Sequence, residues 1–434
     1  MRSSLCRQQV YKLSYGQSKY DFERGIDVDR MTRQRVDRVK AGLKKYNLAA
    51  ILTLDIPNIR YIVNSRPYID HGGQPGDRYA LLPADGESIL FEGGINEGPG
   101  LPQPRHAFLG ARAKVGISCG AANSPNEHKE AMRGQLRKFA KQIQNELKLN
   151  KLEKEVIGVV PFHRDMIGAL QEQGIKLEFD KADDVIREAR EVKTVDEAEC
   201  LRMACAISEG ATMKVKEAIK PGIRENELAA IAAYHAYRLG AETLTSFHVE
   251  SGQHTYPNPF WITDKIVRAS DLINMEIAVA YLGYKDCYYT GTFSVGRPNQ
   301  AQKDAFAKAR QYHLAMAKAV RAGGTTKDIA EKMPAAKDFG YPDEDSSLMM
   351  QWSHGIGLST PEWPSIHRAW SLEHPYPIKE GMCLAVETIW PTNERTPTKP
   401  NGEAARIEGD VRVTADGIEW LTQWPIDEIQ VCEF

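Results

Sequence analysis

The sequence contains no CxxC pair. Its seven cysteines (Cys6, Cys119, Cys200, Cys205, Cys287, Cys383 and Cys432) are scattered and odd in number. That excludes a zinc knuckle and gives no sign of a disulfide framework. No apolar run reaches the length of a membrane-spanning helix, which is about 18 residues or more. There is no long block of one charge sign: 26% of residues are charged, yet the formal net charge is -2. A polybasic arm for nucleic acid or a membrane surface is therefore excluded, and no nucleic-acid or membrane partner is expected. Internal repeats and low-complexity segments are missing as well. The opening stretch MRSSLCRQQVYKLSYGQSKYDFERG lacks an apolar segment ahead of a cleavage signal, so a reducing, cytoplasmic setting is the expectation. Tryptophan is absent from the first half: all seven, from Trp261 to Trp424, lie in the second.

What is present fits two domains of unequal size, since 434 residues exceed one ordinary core. Residues 1–30 are expected to form an N-terminal arm, 31–187 a small α/β domain, and 188–434 a larger catalytic domain. In the small domain the pattern predicts a helix at 31–46, a strand at 49–54, a turn at Pro57-Asn58 and a short segment from Ile59 to Val63. Two strands flank the Ala-Asp-Gly turn within 79–93; a strand at 115–119 and a helix at 125–146 follow. Strands at 156–163 and 175–181 then bracket a helix near 164–173. The larger domain is expected to begin with helices at 195–218 and 224–240, the second stopped by Gly240. Short aromatic-rich strands at 243–296, helices at 299–320 and 325–338, and strands and turns over 348–424 complete it. The implied fold class is α+β, with outer helices packed on a curved antiparallel sheet that presents a concave face.

Chemistry concentrates in three stretches: QWSHGIGLSTPEWP at 351–364, GMCLAVETIW at 381–390 and AARIEGDVRVTADG at 404–417. His354 precedes two glycines that permit close backbone approach. Glu387 and Glu408 interrupt otherwise apolar strands, and a buried carboxylate needs a cation or hydrogen-bond donors. An imidazole with two such acids suits Fe, Zn, Mn or Co, or a cationic substrate.

These motifs make the second half resemble the pita-bread enzymes of the M24 superfamily: methionine aminopeptidase, prolidase, aminopeptidase P and creatinase. The carriers are His354 in HGIG, Glu387 in GMxxxxE and Glu408 in RIExxVxVT. The small first domain, including PNIRY at 57–61, resembles the creatinase/prolidase branch. The resemblance implies a homodimer and a metal set in which Glu276, His354, Glu387 and Glu408 occupy four of five ligand positions. For the fifth, counting from Glu276 reaches Cys287 and counting back from Phe293 reaches Tyr288, while Asp286 is the nearest carboxylate. Asp286 and Tyr288 would face one way along a strand and Cys287 the other. A single divalent metal, a dinuclear pair and metal-free chemistry all stay open.

The catalytic histidine that prolidase-like enzymes place before Glu362 is Pro361 here, and the upstream one is replaced within SGQHTYPNPFW at 251–261, near His254. A closer motif resemblance is to dimethylsulfoniopropionate lyases, through NIRY, TYPNPFW and HGIGLSTPEWP. It departs at Asn274 and Glu276, at Pro361, and in lacking a tyrosine before the histidine. The expected function is a non-peptidase enzyme for a small zwitterionic or methylated carboxylate, acting by C–N hydrolysis or elimination. The alternatives are the lyase itself, an Xaa-Pro dipeptidase-like metallohydrolase and an inactive scaffold. In this reading Trp261, Trp352 and Trp363 bind an onium group by cation–π attraction, with His254 and Arg60 assisting and Arg78 a further carboxylate grip. His354, Glu362 and Glu276 handle protons, and Tyr288, Tyr256 or Tyr284 donates a hydrogen bond.

Overall fold

The computed structural model describes residues 25–66, 78–92, 112–117, 129–160, 164–256, 261–348, 353–393 and 402–434. The expected N-terminal arm and Trp352 lie largely or wholly outside these residues. The chain divides into a compact unit Asp27–Arg190 and a larger one running from Glu191 to Phe434.

The first unit holds a mixed six-stranded sheet. Its strands are β1 (Ala50–Thr53), β2 (Arg78–Pro83), β3 (Ile89–Glu92), β4 (Arg112–Val115), β5 (Val156–Val160) and β6 (Lys176–Glu178), in the order β4-β3-β2-β1-β5-β6. β1 runs parallel to β5 and antiparallel to β2, and both β1 and β2 are buried along their whole length. Such strands read as continuous apolar runs because both faces are covered. The helix Lys129–Leu149 contributes Phe139, Ile143 and Leu147 to the core under this sheet. The expected turn at Pro57-Asn58 is instead the first turn of a helix, Ile56–Val63. Asp55 caps it by accepting the Asn58 N–H at 3.0 Å, and proline is tolerated there because first-turn N–H groups have no intrahelical partner. A further helix, Asp180–Glu191, follows β6.

The larger unit opens with the helix Val195–Ala218, started by a reciprocal cap between Thr194 and Glu197. The helix Glu225–Leu239 ends at Gly240, whose φ of 109° is the left-handed conformation that glycine adopts without penalty. One five-stranded sheet follows, made of β7 (Thr243–Ser251), β8 (Leu272–Tyr281), β9 (Tyr284–Lys285), β10 (Tyr289–Val295) and, from the far end of the chain, β16 (Gln430–Cys432). β16 joins β10 in parallel; the other pairings are antiparallel. The second five-stranded sheet comprises β11 (Ser353–Gly355), β12 (Glu362–Ile366), β13 (Cys383–Pro391), β14 (Ala404–Thr414) and β15 (Gly417–Trp420), in the order β12-β11-β13-β14-β15. Between the two sheets in sequence lies the helix Gln300–Ala319. The helix expected at 325–338 shortens to Thr326–Ala330 and a separate turn Ala336–Phe339, since Pro334 between them cannot donate an N–H to a continuous helix.

The two sheets meet where β10 lies against β14. Strand-to-strand bonding gives way there to side chains that reach across. Thr292 Oγ1 accepts the Arg406 N–H at 2.9 Å, the Tyr289 N–H donates to Glu408 Oε2 at 3.1 Å, and the Cys287 N–H donates to Asp410 Oδ2 at 3.1 Å. Asn274 donates to the Ala404 carbonyl at 3.0 Å. The register of β10 against β8 shifts between Tyr289 and Thr292, and that irregularity frees backbone donors for the acids of β14.

Candidate metal centre

His354 sits on β11 opposite Ala385 of β13, and it is buried. Its Nδ1 lies 3.0 Å from the Gly355 carbonyl, which can only accept a hydrogen bond. Nδ1 therefore carries the proton and Nε2 keeps its lone pair. Nε2 points to the Cys287 sulfur at 3.8 Å. The two glycines of HGIG have separate steric reasons. A Cβ on Gly355 would stand 2.2 Å from the Trp363 carbonyl oxygen, and one on Gly357 would stand 2.3 Å from Glu362 Oε1.

Glu276 lies on β8 between His248 of β7 and Tyr289 of β10, its direct partners on either side. One carboxylate oxygen is 3.7 Å from His248 Nε2 and the other 3.7 Å from the Cys287 sulfur. Glu387 and Glu408 face each other across β13 and β14. Arg406 pairs with Glu387 and stacks its guanidinium 3.8 Å above the centre of the Tyr289 ring. Burial, then the Glu387 and Glu276 charges, hold the Glu408 carboxyl well above the usual carboxylate range. Burial and the nearby acids, Glu408 first, likewise push the Cys287 thiol up.

The Cys287 sulfur, a nitrogen of His354 and an oxygen of Glu408 all lie within 4.8 Å of one another. Glu408 Oε2 is bonded to the Tyr289 N–H, but Oε1 is buried with no hydrogen-bond partner. A sulfur, an imidazole nitrogen and an orphaned carboxylate oxygen, converging where acids outnumber cations, fit a divalent ion. The donor set is that of zinc, cobalt or iron; an all-oxygen ion such as magnesium would leave the sulfur unused.

The structure brings Glu276, His354, Glu387 and Glu408 to one place, and it puts Cys287 beside them where Asp286 was expected. Asp286 points away: its Oδ1 accepts the Val279 N–H at 2.7 Å, and it groups with Cys205 and Asp410. Burial raises its carboxyl to about 7. Tyr288 shares that side, buried with its hydroxyl unpartnered and its phenol pushed up by burial and then by the Glu209 charge. Neither residue joins the His354 group, because one residue along an extended segment reverses the facing of a side chain. Tyr284 donates to Glu197 at 2.7 Å, and Tyr256 packs in a small cluster with Phe339 and Ile389.

Glu362 is gripped by Lys193 at 2.5 Å, with both side chains nearly buried. Trp363 is 40% exposed and meets Tyr376 edge-on with ring centres 5.0 Å apart, whereas Trp261 is 63% exposed. His254 lies 3.2 Å from Glu225. That buried acid also accepts from the Ser251 N–H and hydroxyl and from Thr263, so it ties the end of β7 to the following turn. Arg60 is buried on the helix Ile56–Val63 of the first unit. Arg78 pairs with Glu92 at 3.0 Å and bonds Ser65 in the same unit, which accounts for its charge without a substrate. Sequence reasoning missed Lys193, His248, Cys205 and Asp410. Arg406 was visible only as the first letter of RIE.

The profile of "Metallopeptidase family M24" matches residues 199–415. The chain is 30% identical over 261 residues to "Xaa-Pro dipeptidase" of Pyrococcus furiosus, covering 59% of this chain and 70% of that protein. It is 28% identical over 251 residues to the protein of the same description in Pyrococcus horikoshii, covering 57% of this chain and 66% of that one. Among solved structures, dipeptidase PepE from Mycobacterium ulcerans superimposes with a TM-score of 0.71 at 21% identity, over 94% of this chain and 99% of that one. At that identity the likeness establishes the two-domain pita-bread fold. The sequence relatives overturn the expectation of a non-peptidase enzyme for a zwitterionic or methylated carboxylate, since the similarity runs to prolidase-type peptidases. They lend no support to the lyase resemblance. No helix of the described residues is long and apolar enough to cross a membrane.

Proposed function

The chain belongs to metallopeptidase family M24, and from that premise we propose that it is a metal-dependent hydrolase of short peptides of the Xaa-Pro type. Membership of this family implies hydrolase activity. Cys287, His354 and Glu408 would hold the ion, with Glu276 beside the sulfur and Glu387 neutralised by Arg406. The observation that carries the reading is the buried, unpartnered Glu408 Oε1 within that donor group. A divalent ion there supplies Lewis acidity, which polarises a carbonyl and makes water a better nucleophile.

The chain's own residues set the rest. The Gly355 carbonyl fixes the His354 tautomer, so the imidazole offers a lone pair and not a proton. His248 steadies the Glu276 carboxylate. Glu362, held by Lys193 over Gly357, is the remaining carboxylate of the HGIG–EWP block and the group to exchange a proton with the substrate amine. The exposed Trp363, turned edge-on to Tyr376, offers an aromatic wall for a proline ring. Pro361, standing where prolidases have a histidine, removes one proton carrier, and turnover is expected to be slow for this family. A homodimer in the cytoplasm completes the proposal.

Proline release from Met-Pro and Gly-Pro by protein loaded with zinc, cobalt or manganese tests it, alongside elemental analysis. The expected result is hydrolysis with zinc or cobalt, with activity and the metal that a chelator removes both lost in His354→Ala. Protein that binds none of the three ions and cleaves neither dipeptide would sink the reading.

A further inference from the structure

Behind the Cys287 backbone lies a second group of donors that the proposed hydrolase site does not use. Cys205 comes from the helix Val195–Ala218, Asp286 from the link between β9 and β10, and Asp410 from β14; all three are buried. The Cys205 sulfur, one oxygen of Asp286 and one of Asp410 lie within 4.8 Å of one another. Each aspartate commits one oxygen to the backbone: Asp286 Oδ1 to the Val279 N–H and Asp410 Oδ2 to the Cys287 N–H. Each keeps a second oxygen, Asp286 Oδ2 and Asp410 Oδ1, that is fully buried with no hydrogen-bond partner. The Ser208 hydroxyl is near enough to lower the Asp286 pKa, yet it too is buried without a well-formed bond. The hydroxyl of Tyr288, a side chain only 1% exposed, is also unpartnered, and the charges that act on it are those of Glu209, Cys205, Asp410 and Asp286. A charge felt in common by Asp286 and Asp410 is a further acid, Glu276.

Two buried carboxylates beside a thiol, with oxygens that meet no donor, have two physical solutions. They stay protonated, or they share a cation. The geometry favours the second: the Asp286 and Asp410 oxygens left over from the backbone bonds meet no donor, and the Cys205 sulfur already lies 3.4 Å from Asp410 Oδ2. We propose that Cys205, Asp286 and Asp410 bind a divalent cation of the zinc class, separate from the ion of the hydrolase site and structural in role. One sulfur and two carboxylate oxygens are zinc ligands. The ion would tie the helix Val195–Ala218 to β14 and to the start of β10, so that one helix and both sheets share it. Enclosed on all sides, it would load during folding and resist removal. The inference does not depend on the hydrolase reading, because none of its three ligands belongs to the His354 group.

Protein produced with zinc and dialysed against a strong chelator is expected to keep one zinc per chain by elemental analysis. The Cys287→Ser variant, which takes the sulfur from the first group, should keep it too, whereas Cys205→Ala and Asp410→Asn should lose it. Should those two fail to fold, anomalous diffraction at the zinc edge from unaltered protein decides: a peak enclosed by Cys205, Asp286 and Asp410 supports the site. Zinc that is fully stripped, zinc whose retention follows Cys287 and not Cys205, or the absence of a peak there would each overturn the proposal.

Discussion

In the N-terminal unit Tyr79 stacks on Phe91 with ring centres 4.8 Å apart and meets Phe139 edge-on at 5.0 Å, deep in a core of aliphatic side chains. In the C-terminal unit the equivalent depth holds Glu276, Glu387, Glu408, Asp286 and Asp410, all buried, with the Arg406 guanidinium among them. The first arrangement is the ordinary route to stability, in which apolar area leaves water. The second carries an electrostatic cost that packing cannot offset. A chain that maintains five buried acids along one seam has a use for them there. On the proposed reading, the acidic seam is where binding free energy is to be gained.

The comparison breaks most sharply at Glu408. Replacing it with alanine removes the orphaned oxygen and one of three converging donors. Metal affinity at the His354 group and dipeptide hydrolysis should fall by about 100-fold or more, beyond the loss that changing an outer-shell partner brings. Elemental analysis and initial rates measure this. Stability of the metal-free protein should fall by about 1–3 kcal/mol, because the buried Tyr289 N–H loses its acceptor. A variant that keeps full metal content would mean that the seam's acids serve another purpose.

The converse experiment is Phe139→Ala in the other unit. It opens a cavity against Tyr79 and should cost about 3–5 kcal/mol in urea unfolding. Metal content per folded chain should stay unchanged. Loss of metal at equal folded fraction would show that the two units are energetically coupled and that the contrast between them is too simple.

Some of this was legible in the sequence. Gly240, read as a helix stop, does close Glu225–Leu239. The HGIG, GMxxxxE and RIE motifs fall on the adjacent strands β11, β13 and β14, where Glu387 and Glu408 are directly opposite one another. Residues 286–288 defeated that reasoning. β9 is only two residues long, β10 begins at Tyr289, and the register shifts again before Thr292. Counting from either end therefore gave different answers, and Asp286 was favoured as the nearest carboxylate. Lys193, Cys205 and Asp410 carried no local signal at all. Their partners are 169 and 205 positions away in the chain, and such contacts leave no mark in a single sequence. The choice of substrate class failed for a different reason: isolated departures such as Pro361 outweighed a similarity that extends over most of the catalytic domain.

Glu209 gives the smallest and most discriminating test of how the seam stores charge. It lies on the helix Val195–Ala218, and its Oε1 alone receives both the Gln423 and Trp424 N–H groups. Burial pushes its carboxyl up from 4.5 to about 7, with those two backbone donors acting in the opposite direction. A folded value above the unfolded one means that the native state holds the proton more tightly. The resulting stability is fully present below about 4.5 and is lost as pH rises through about 7. Each tenfold gain in proton affinity is worth about 1.4 kcal/mol, so the ceiling is on the order of 3 kcal/mol. Glu209→Gln keeps an oxygen for both N–H groups and replaces the protonated oxygen with an amide, so it mimics the low-pH state at every pH. Thermal melts of the two proteins should coincide near pH 4.5 and separate steadily toward pH 8, with the variant the more stable there. Parallel curves across that range would mean that Glu209 stays ionised when buried, and that a cation in the seam compensates it.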